Sequence, residues 1–166
     1  MNAIELIVTV LILTFCFVVF FGAPFVPTRR RWARAALDLA KIKPTDVVVD
    51  LGSGSGTILH LAAEQSARAV GYELNPILCL WSRLATWRYG ARVNVRLANF
   101  WRCDLPVETS VVYVFAVTRD AAKLERFLTE QAPKLSVKKL RVVAFGFSLP
   151  GRKPVKRSGG ANLYYF

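Results

Sequence analysis

The chain is poor in the side chains that bind transition metals or build nucleophilic catalytic sites. Its 166 residues include one histidine, His60, and three cysteines. Cys16 lies in an apolar run, and Cys79 and Cys103 are too far apart for a C-x-x-C pair. Zinc sites and Ser-His-Asp triads need more histidine or a tighter cysteine spacing than this. We therefore expect no metal site, and a structural or surface role for His60.

Acidic residues are also scarce. The chain has 11 Asp and Glu residues against 23 Lys and Arg residues, which gives a net charge of +12. Such a balance attracts anionic lipid headgroups or nucleic acid. The basic residues are scattered, and no recognisable nucleic-acid-binding motif accompanies them. Attraction to a membrane surface, or plain solubility, is therefore the preferred interpretation, and no nucleic-acid partner is expected.

Residues 4–21 form an apolar run with a single charge, Glu5. A helix over these residues would be roughly 27 Å long, which is close to the thickness of a bilayer core. A cleaved signal peptide is the less favoured alternative, because the run lacks a basic start and a small-residue cleavage site; an interfacial or buried helix is the third. The sequence thus predicts a transmembrane anchor at residues 1–22. Four arginines directly after it, at positions 29, 30, 31 and 34, predict a single-pass protein whose remaining domain lies on the cytoplasmic side.

After the anchor, residues 23–45 read as a linker and a helix, and residues 46–166 as one domain, since this length suits a single core. Apolar runs typical of strands alternate with helical patterns: strands are predicted near residues 46–51, 69–73, 93–97, 111–117 and 140–147. The alternation predicts an α/β fold, with a Rossmann-like, doubly wound, mostly parallel sheet and a short C-terminal part. Residues 163–166 are expected to add a short edge strand.

A glycine-rich turn follows the first predicted strand. Residues 47–56 read Val-Val-Val-Asp-Leu-Gly-Ser-Gly-Ser-Gly, so that Asp50 closes a buried strand and Gly52, Gly54 and Gly56 follow. Glycine lets a ligand approach the backbone, and the next helix would aim free N–H groups at the same place. A dinucleotide fingerprint, G-x-G-x-x-G, would need glycine at position 57, which is Thr57. The turn therefore predicts a nucleotide-type cofactor site in which a nicotinamide dinucleotide is disfavoured.

A second acid completes this pattern. Residues 69–73 read as a short strand ending in Glu73, about 20 residues after the glycines, where an acid hydrogen-bonds ribose hydroxyls in Rossmann-like folds. The residues alone leave open that Asp50 is a plain strand-end residue and that Glu73 is a surface charge. The combination resembles class I S-adenosylmethionine-dependent methyltransferases.

A narrower resemblance covers nearly the whole chain. It is carried by residues 22–28 (Gly-Ala-Pro-Phe-Val-Pro-Thr), 49–56, 71–76 (Gly-Tyr-Glu-Leu-Asn-Pro), 99–101 (Asn-Phe-Trp) and 141–150. These stretches resemble the membrane-anchored protein-lysine methyltransferases whose animal members modify the adenine nucleotide translocase or the ATP synthase c-subunit. The resemblance implies S-adenosyl-L-methionine as cofactor, the membrane as a partner through the N-terminal helix, and a lysine of a membrane protein as methyl acceptor.

The resemblance also implies roles for particular residues. Asp50 would face the amino group of the cofactor, and Glu73 would take the ribose hydroxyls. The methionine part would lie against Gly52, Ser53, Gly54 and Gly56. Leu74 would flank the adenine, Asn99 would read its amino group, and Phe100 would pack nearby. Asn99 departs from the acid usual in the family and could instead form a turn, and Phe100 and Trp101 could instead be core aromatics.

The acceptor side is poorly specified, and no catalytic residue is assigned. Asp104, in the loop after the third strand, and Thr28, by resemblance, are weak candidates; a linker-and-cap role suits Thr28 equally. The Asn-Pro-Pro-aromatic motif of many amino-group methylases is absent, since residues 115–118 read Phe-Ala-Val-Thr. A lipid or small-molecule methyltransferase and a non-catalytic module that binds S-adenosylmethionine therefore stay as alternatives.

Overall fold

The computed structural model describes residues 2–10, 12, 29–116 and 118–166. Residues 3–10 are helical. Among the described residues, no helix is both long enough and apolar enough to cross a membrane. Residues 1, 11 and 13–22 of the predicted anchor, and Thr28, lie outside the described residues.

Seven strands form one sheet in the order β3-β2-β1-β4-β5-β7-β6. The strands from β3 across to β5 are parallel, and β7 pairs antiparallel with both β5 and β6. The predicted mostly parallel α/β sheet is thereby confirmed. The strands are β1 (Val47–Leu51), β2 (Arg68–Glu73), β3 (Val93–Leu97), β4 (Val111–Phe115), β5 (Arg141–Phe145), β6 (Lys156–Ser158) and β7 (Ala161–Tyr165).

Helices cover the two faces of the sheet unequally. One face carries α1 (Arg30–Ala40), α2 (Thr57–Glu64) and α3 (Pro76–Thr86), which share a core that includes Leu37, Leu59 and Cys79. The other face carries α4 (Ala121–Gln131), whose Leu124 and Leu128 are fully buried in a second core. Short 3₁₀ turns at Trp87–Arg92, Phe100–Arg102, Thr118–Asp120 and Ala132–Lys134 complete the described domain.

The side chains and backbone of a few residues explain why β1 is buried and where α3 begins. All five residues of β1 are buried, as expected for a central parallel strand rich in β-branched side chains. The side chain of Asn75 caps α3 by accepting hydrogen bonds from the N–H groups of Ile77 and Leu78, and Pro76 occupies the first helical position. Gly90, with φ of +53°, kinks the 3₁₀ turn that follows α3.

Two details at the C-terminal side differ from expectation. Residues 163–166 do not form an edge strand, because β7 lies between β5 and β6 and the edge is β6. Leu163 and Tyr164 on β7 are both buried, whereas the three residues of β6 are exposed, which is why their sequence gave no strand signal. Strand β4 ends at Phe115, and α4 begins only at Ala121, after a 3₁₀ turn.

A buried ionic group joins α1 to the amino edge of the sheet. Asp46 accepts a hydrogen bond from Ser110 Oγ at 2.7 Å and pairs with Arg141. The same guanidinium donates to the carbonyl oxygens of Ala40 and Lys41, at 3.0 and 3.1 Å. Because these carbonyls end α1, the arginine satisfies groups that the helix leaves unpaired. The arrangement fixes α1, and therefore the entry of the chain into the domain, against β5.

Candidate cofactor site

The candidate residues lie where the strand order of the sheet reverses. The chain leaves β1 for β2 on one side and returns to β4 on the other side of β1. Ligands of open α/β sheets bind in the crevice at the carboxyl ends of the strands around such a switch point. Asp50 belongs to β1 and Glu73 ends β2, and the parallel register sets Asp50 opposite Gly71 and Glu73 opposite Leu97. The structure thus gathers these acids at neighbouring strand ends.

The glycine turn is held to β2 by its backbone. The N–H groups of Gly52 and Ser53 both donate to the carbonyl oxygen of Tyr72, each at 2.9 Å. The N–H of Gly56 donates to the carbonyl of Ser53 at 2.8 Å. Gly52, Gly54 and Gly56 have φ values of +88°, +51° and +80°, a region that other residues enter only with strain. The spacing of the three glycines therefore follows from the shape of the turn.

Glu73 connects this turn to α3. Its Oε2 accepts a hydrogen bond from the N–H of Gly54 at 2.7 Å, and its Oε1 accepts from the N–H of Asn75 at 2.8 Å. Glu73 is only 8 % exposed, so the alternative that it is a charge on the protein surface is wrong. An ionised carboxylate offers about four acceptor positions, so two are left for ligand hydroxyls.

Asp50 is a buried acid without a countercharge. It is 3 % exposed, and among the described residues no group hydrogen-bonds or ion-pairs with its carboxylate. Burial, and secondarily the charge of Glu73, raises the pKa of Asp50 to about 8. A cation bound beside Asp50 would favour its ionised form and so lower its pKa again. This side chain is therefore suited to a ligand that carries an amino group.

Two close contacts, which the sequence analysis did not assign to the site, position the turn. A Cβ added to Gly71 of β2 would come within 2.7 Å of Ser53 Oγ and 2.6 Å of Leu59 Cδ1. A Cβ added to Gly56 would lie 2.4 Å from Ser82 Oγ on α3. The signal for Gly71 was available, because a glycine inside a strand marks close backbone approach. Ser82 gave no such signal.

These features fit the cofactor that the family resemblance implies. A Cβ on Gly52 would meet nothing within 4 Å, so the turn presents open backbone to a ligand. Asp50 offers a negative charge to an ammonium, and Glu73 offers acceptors to ribose. Ser53 Oγ is buried and has no hydrogen-bond partner among the described residues. The Gly54 N–H already donates to Glu73, so a diphosphate would meet a carboxylate where it needs that donor, which argues against a nicotinamide dinucleotide.

The three residues assigned to the adenine have different surroundings. Leu74 is half-buried directly after Glu73. Asn99 Oδ1 accepts a hydrogen bond from the N–H of Trp101 at 3.1 Å, so this side chain does form a turn, with its amide nitrogen left to donate. Phe100 and Trp101 stack with ring centroids 4.4 Å apart and pack against the core beside Phe127. The core-aromatic interpretation of both rings therefore holds in this structure.

Asp104, one of the two acceptor-side candidates, does not join these residues. Asp104 is exposed, and its Oδ1 accepts from Lys134 Nζ at 2.6 Å and from Gln131 Nε2 at 2.9 Å. The hydrogen bond from Lys134, then that from Gln131, lowers the pKa of Asp104. A carboxylate held in this way is a poor proton acceptor. Thr28 lies outside the described residues, so a role at the acceptor mouth stays a prediction.

His60 has the structural surroundings that the sequence analysis expected. Its Nε2 lies 3.0 Å from Glu64 Oε1 and 3.2 Å from an Arg88 nitrogen, and its ring meets the ring of Tyr89 edge-on. Glu64 also pairs with Arg30 at 3.3 Å. This cluster joins α1, α2 and the turn after α3.

Comparisons with known proteins agree with this geometry. The family described as the ANTKMT methyltransferase domain matches residues 50–156. An ATP synthase c-subunit lysine N-methyltransferase from Xenopus laevis is 33 % identical over 133 residues, which are 79 % of this chain and 56 % of the relative. A mouse adenine nucleotide translocase lysine N-methyltransferase is 35 % identical over 135 residues, 80 % of this chain and 56 % of the relative. The chain thus spans about half the length of these relatives.

A solved structure extends the similarity to the fold. It is the crystal structure of an RNA methyltransferase from Salinibacter ruber in complex with S-adenosyl-L-homocysteine, with a TM-score of 0.74 and 31 % identity. The alignment covers 85 % of this chain and 92 % of the other. S-adenosyl-L-homocysteine is what S-adenosyl-L-methionine becomes after methyl transfer, so this neighbour supports S-adenosyl-L-methionine as the cofactor here.

Proposed function

Because the chain belongs to the ANTKMT methyltransferase domain family, we propose that it transfers a methyl group from S-adenosyl-L-methionine to a lysine side chain of a membrane protein. The observation that carries the proposal is the pair of buried acids, Asp50 and Glu73, on either side of the open glycine turn. The two lysine methyltransferases reported above support lysine as acceptor, since each is named for that activity.

The residues of the site position the donor. S-adenosyl-L-methionine supplies an already activated methyl on a sulfonium, so binding and orientation are the main tasks of the protein. Asp50 binds the amino group and is held ionised by it, and Glu73 binds the ribose hydroxyls. The open backbone at Gly52 leaves room for the methionine part. Two carboxylates also favour a cationic ligand by their summed charge.

The membrane part of the proposal rests on the N-terminal sequence. Residues 4–21 supply an apolar run of membrane-spanning length, and the following arginines favour a domain on the cytoplasmic side. A short tether raises the effective concentration of the domain toward acceptors in the same bilayer. This gives a physical reason for choosing a lysine of a membrane protein over one of a soluble protein.

The test uses the full chain and tritiated S-adenosyl-L-methionine with a cell lysate separated into membrane and soluble fractions. We expect labelled methyl-lysine, identified after acid hydrolysis, in membrane protein. The Asp50→Asn, Glu73→Gln double variant is the matched control and should give no label. Label confined to extracted lipid would overturn the lysine acceptor, and cofactor binding without label in any fraction would identify a non-catalytic module.

RNA is the second candidate acceptor. The Salinibacter ruber neighbour is an RNA methyltransferase, and the net charge of +12 suits a polyanion. Residues 115–118, Phe-Ala-Val-Thr, lack the Asn-Pro-Pro-aromatic motif of many amino-group methylases, so this segment does not distinguish the two acceptors. Ribonuclease and protease treatment of the labelled fractions separates the two acceptors, and label released by ribonuclease alone would favour RNA.

A further inference from the structure

Helix α3 exposes its large apolar side chains. Ile77, Leu80, Trp81, Leu84 and Trp87 recur at helical spacing along one side of α3 and its first following residue, and all five are at least half exposed. Trp81 is 63 % and Trp87 is 78 % exposed. We call these five residues the α3 face. A contiguous apolar surface of this kind, with two tryptophans, marks an interaction site.

The opposite side of α3 packs against the rest of the domain. Cys79, Ser82 and Thr86 are the buried residues of the helix, and they are small. Cys79 belongs to the core shared with α1 and α2, and Thr86 bonds back to the carbonyl of Ser82. The usual amphipathic pattern is thus reversed, with small residues inside and large apolar residues outside. Burial in the domain therefore gives no reason for the size of the exposed side chains.

The segment that carries the α3 face has charges of one sign only. Residues 74–95 contain no Asp or Glu, and Arg83, Arg88 and Arg92 lie on α3 and the turn that follows it. Apolar and aromatic side chains flanked by arginine are typical of segments that lie at the surface of an anionic bilayer. Tryptophan in particular favours the headgroup level, where one part of its ring is apolar and its N–H is hydrated.

The α3 face also lies close to where the N-terminal run joins the domain. Glu64 pairs with Arg30, the first residue of α1, at 3.3 Å, and lies 4.0 Å from Arg88, which follows Trp87. The start of α1 and the end of the α3 face therefore share one corner. Seven residues, 22–28, connect this corner to the apolar run, and they can span at most about 25 Å. A bilayer that holds residues 4–21 is within reach of the α3 face.

We propose that the α3 face lies in the headgroup region of an anionic bilayer as a second membrane contact. The opposite end of α3 begins at Pro76, three residues after Glu73, so this contact sets the cofactor site at the membrane surface. An acceptor side chain at the level of the headgroups is then the one within reach. The contact does not depend on the acceptor's identity.

The test is fluorescence quenching by lipid. The full chain is incorporated into phosphatidylcholine vesicles containing about one third phosphatidylglycerol, with and without lipids brominated near the top of their acyl chains. A variant with Trp81 as its only tryptophan carries Trp32→Phe, Trp87→Phe and Trp101→Phe. The matched control keeps only Trp101, which packs beside Phe127 on the other face of the sheet.

We expect brominated lipid to reduce the Trp81 fluorescence at least about twofold, because interfacial tryptophan lies at the depth of the bromines, and to leave the Trp101 fluorescence nearly unchanged. Adding Leu80→Glu and Leu84→Glu to the Trp81 variant should abolish the quenching while S-adenosyl-L-homocysteine binding persists. Equal quenching of Trp81 and Trp101 in vesicle-bound protein overturns the proposal. Protection of Trp81 that accompanies dimerisation, measured by sedimentation of the detergent-solubilised chain, assigns the α3 face to a second copy and also overturns it.

Discussion

Glu73 accepts a hydrogen bond from the backbone N–H of Gly54, so the acid that ends β2 holds the turn that follows β1. Its other oxygen accepts from Asn75, the residue that caps α3. One carboxylate thereby fixes the glycine turn, the start of α3 and the position assigned to the ribose. Changes at Glu73 should affect the shape of the site as well as its contacts with the cofactor.

Replacing Glu73 with Gln should weaken binding of S-adenosyl-L-homocysteine by about 10- to 100-fold, the usual effect of losing a hydrogen bond to a charged group. The amide nitrogen of Gln would also face a backbone N–H, of either Gly54 or Asn75, in place of an acceptor. Isothermal titration calorimetry measures the affinity. The matched control is Glu64→Gln on α2, where an exposed acid pairs with Arg30 and affinity should not change. Unchanged affinity in the Glu73 variant would contradict its role.

The raised pKa of Asp50 predicts a pH dependence of stability. In the folded chain the group titrates near 8, against 3.8 as its ordinary value, so between these pH values the folded state binds more protons than the unfolded state. Stability contributed at this position therefore falls as pH rises, by up to about 6 kcal/mol. Asp50→Asn cannot ionise, so its free energy of unfolding relative to the unsubstituted chain should grow from about pH 4 to about pH 8. Urea unfolding at several pH values measures this, and a constant difference would contradict it.

The raised pKa of Asp50 also predicts that binding of S-adenosyl-L-homocysteine depends on pH. Since the ammonium of the ligand favours the ionised form of Asp50, affinity for S-adenosyl-L-homocysteine should rise from about pH 6 to about pH 8, with proton release. Calorimetry in buffers of different ionisation enthalpy counts the protons. The Asp50→Asn variant should bind more weakly and release none from this position. Equal proton release by both proteins would assign the titration to another group.

The close packing around Gly71 can be tested with one methyl group. Gly71→Ala would force both Ser53 and Leu59 to move, and the resulting overpacking should lower the free energy of unfolding by about 1 to 3 kcal/mol and weaken cofactor binding. Gly90→Ala is the control, because its Cβ would meet nothing within 4 Å and the turn lies away from the acids. It should cost some stability through its positive φ but leave affinity unchanged. Chemical denaturation and calorimetry distinguish the two, and equal effects on affinity would contradict the packing argument.

Asp104 gives a prediction about the chemistry. Because Lys134 and Gln131 hold its carboxylate and lower its pKa, Asp104→Asn should change the kcat of methyl transfer by less than about twofold. The exposed ion pair should contribute little to stability, because solvent screens it. A fall in kcat of about 100-fold, with normal S-adenosyl-L-homocysteine binding, would instead identify Asp104 as a proton acceptor.

The sequence predicted the central part of the fold closely, because its signals there are local. Strand β3 has the predicted bounds, and β1 starts one residue later than predicted. The terminal hairpin could not be predicted in the same way. Strand β6 is three exposed polar residues, and β7 is interior only because it pairs with β5, a contact that local patterns do not encode.

The site, like the fold, was predicted where its signals are local and missed where they depend on distant contacts. The glycines and both acids follow a fixed motif, and the structure gathers them at neighbouring strand ends. The motif could not show that Asp50 lacks a partner or that Asn99 uses its oxygen in a turn, since both depend on which groups surround the side chain. The exposed side of α3 was hidden for a similar reason. Helical periodicity locates an apolar stripe, but it does not tell which side faces the core.

The interior position of β7 imposes an order on biosynthesis. Strand β5 gains its second neighbour only when residues 161–165 have left the ribosome, so the sheet closes late in translation. Residues 4–21 emerge long before this point. Any recognition of that apolar run during translation would therefore act on a nascent chain whose sheet is still open at β5.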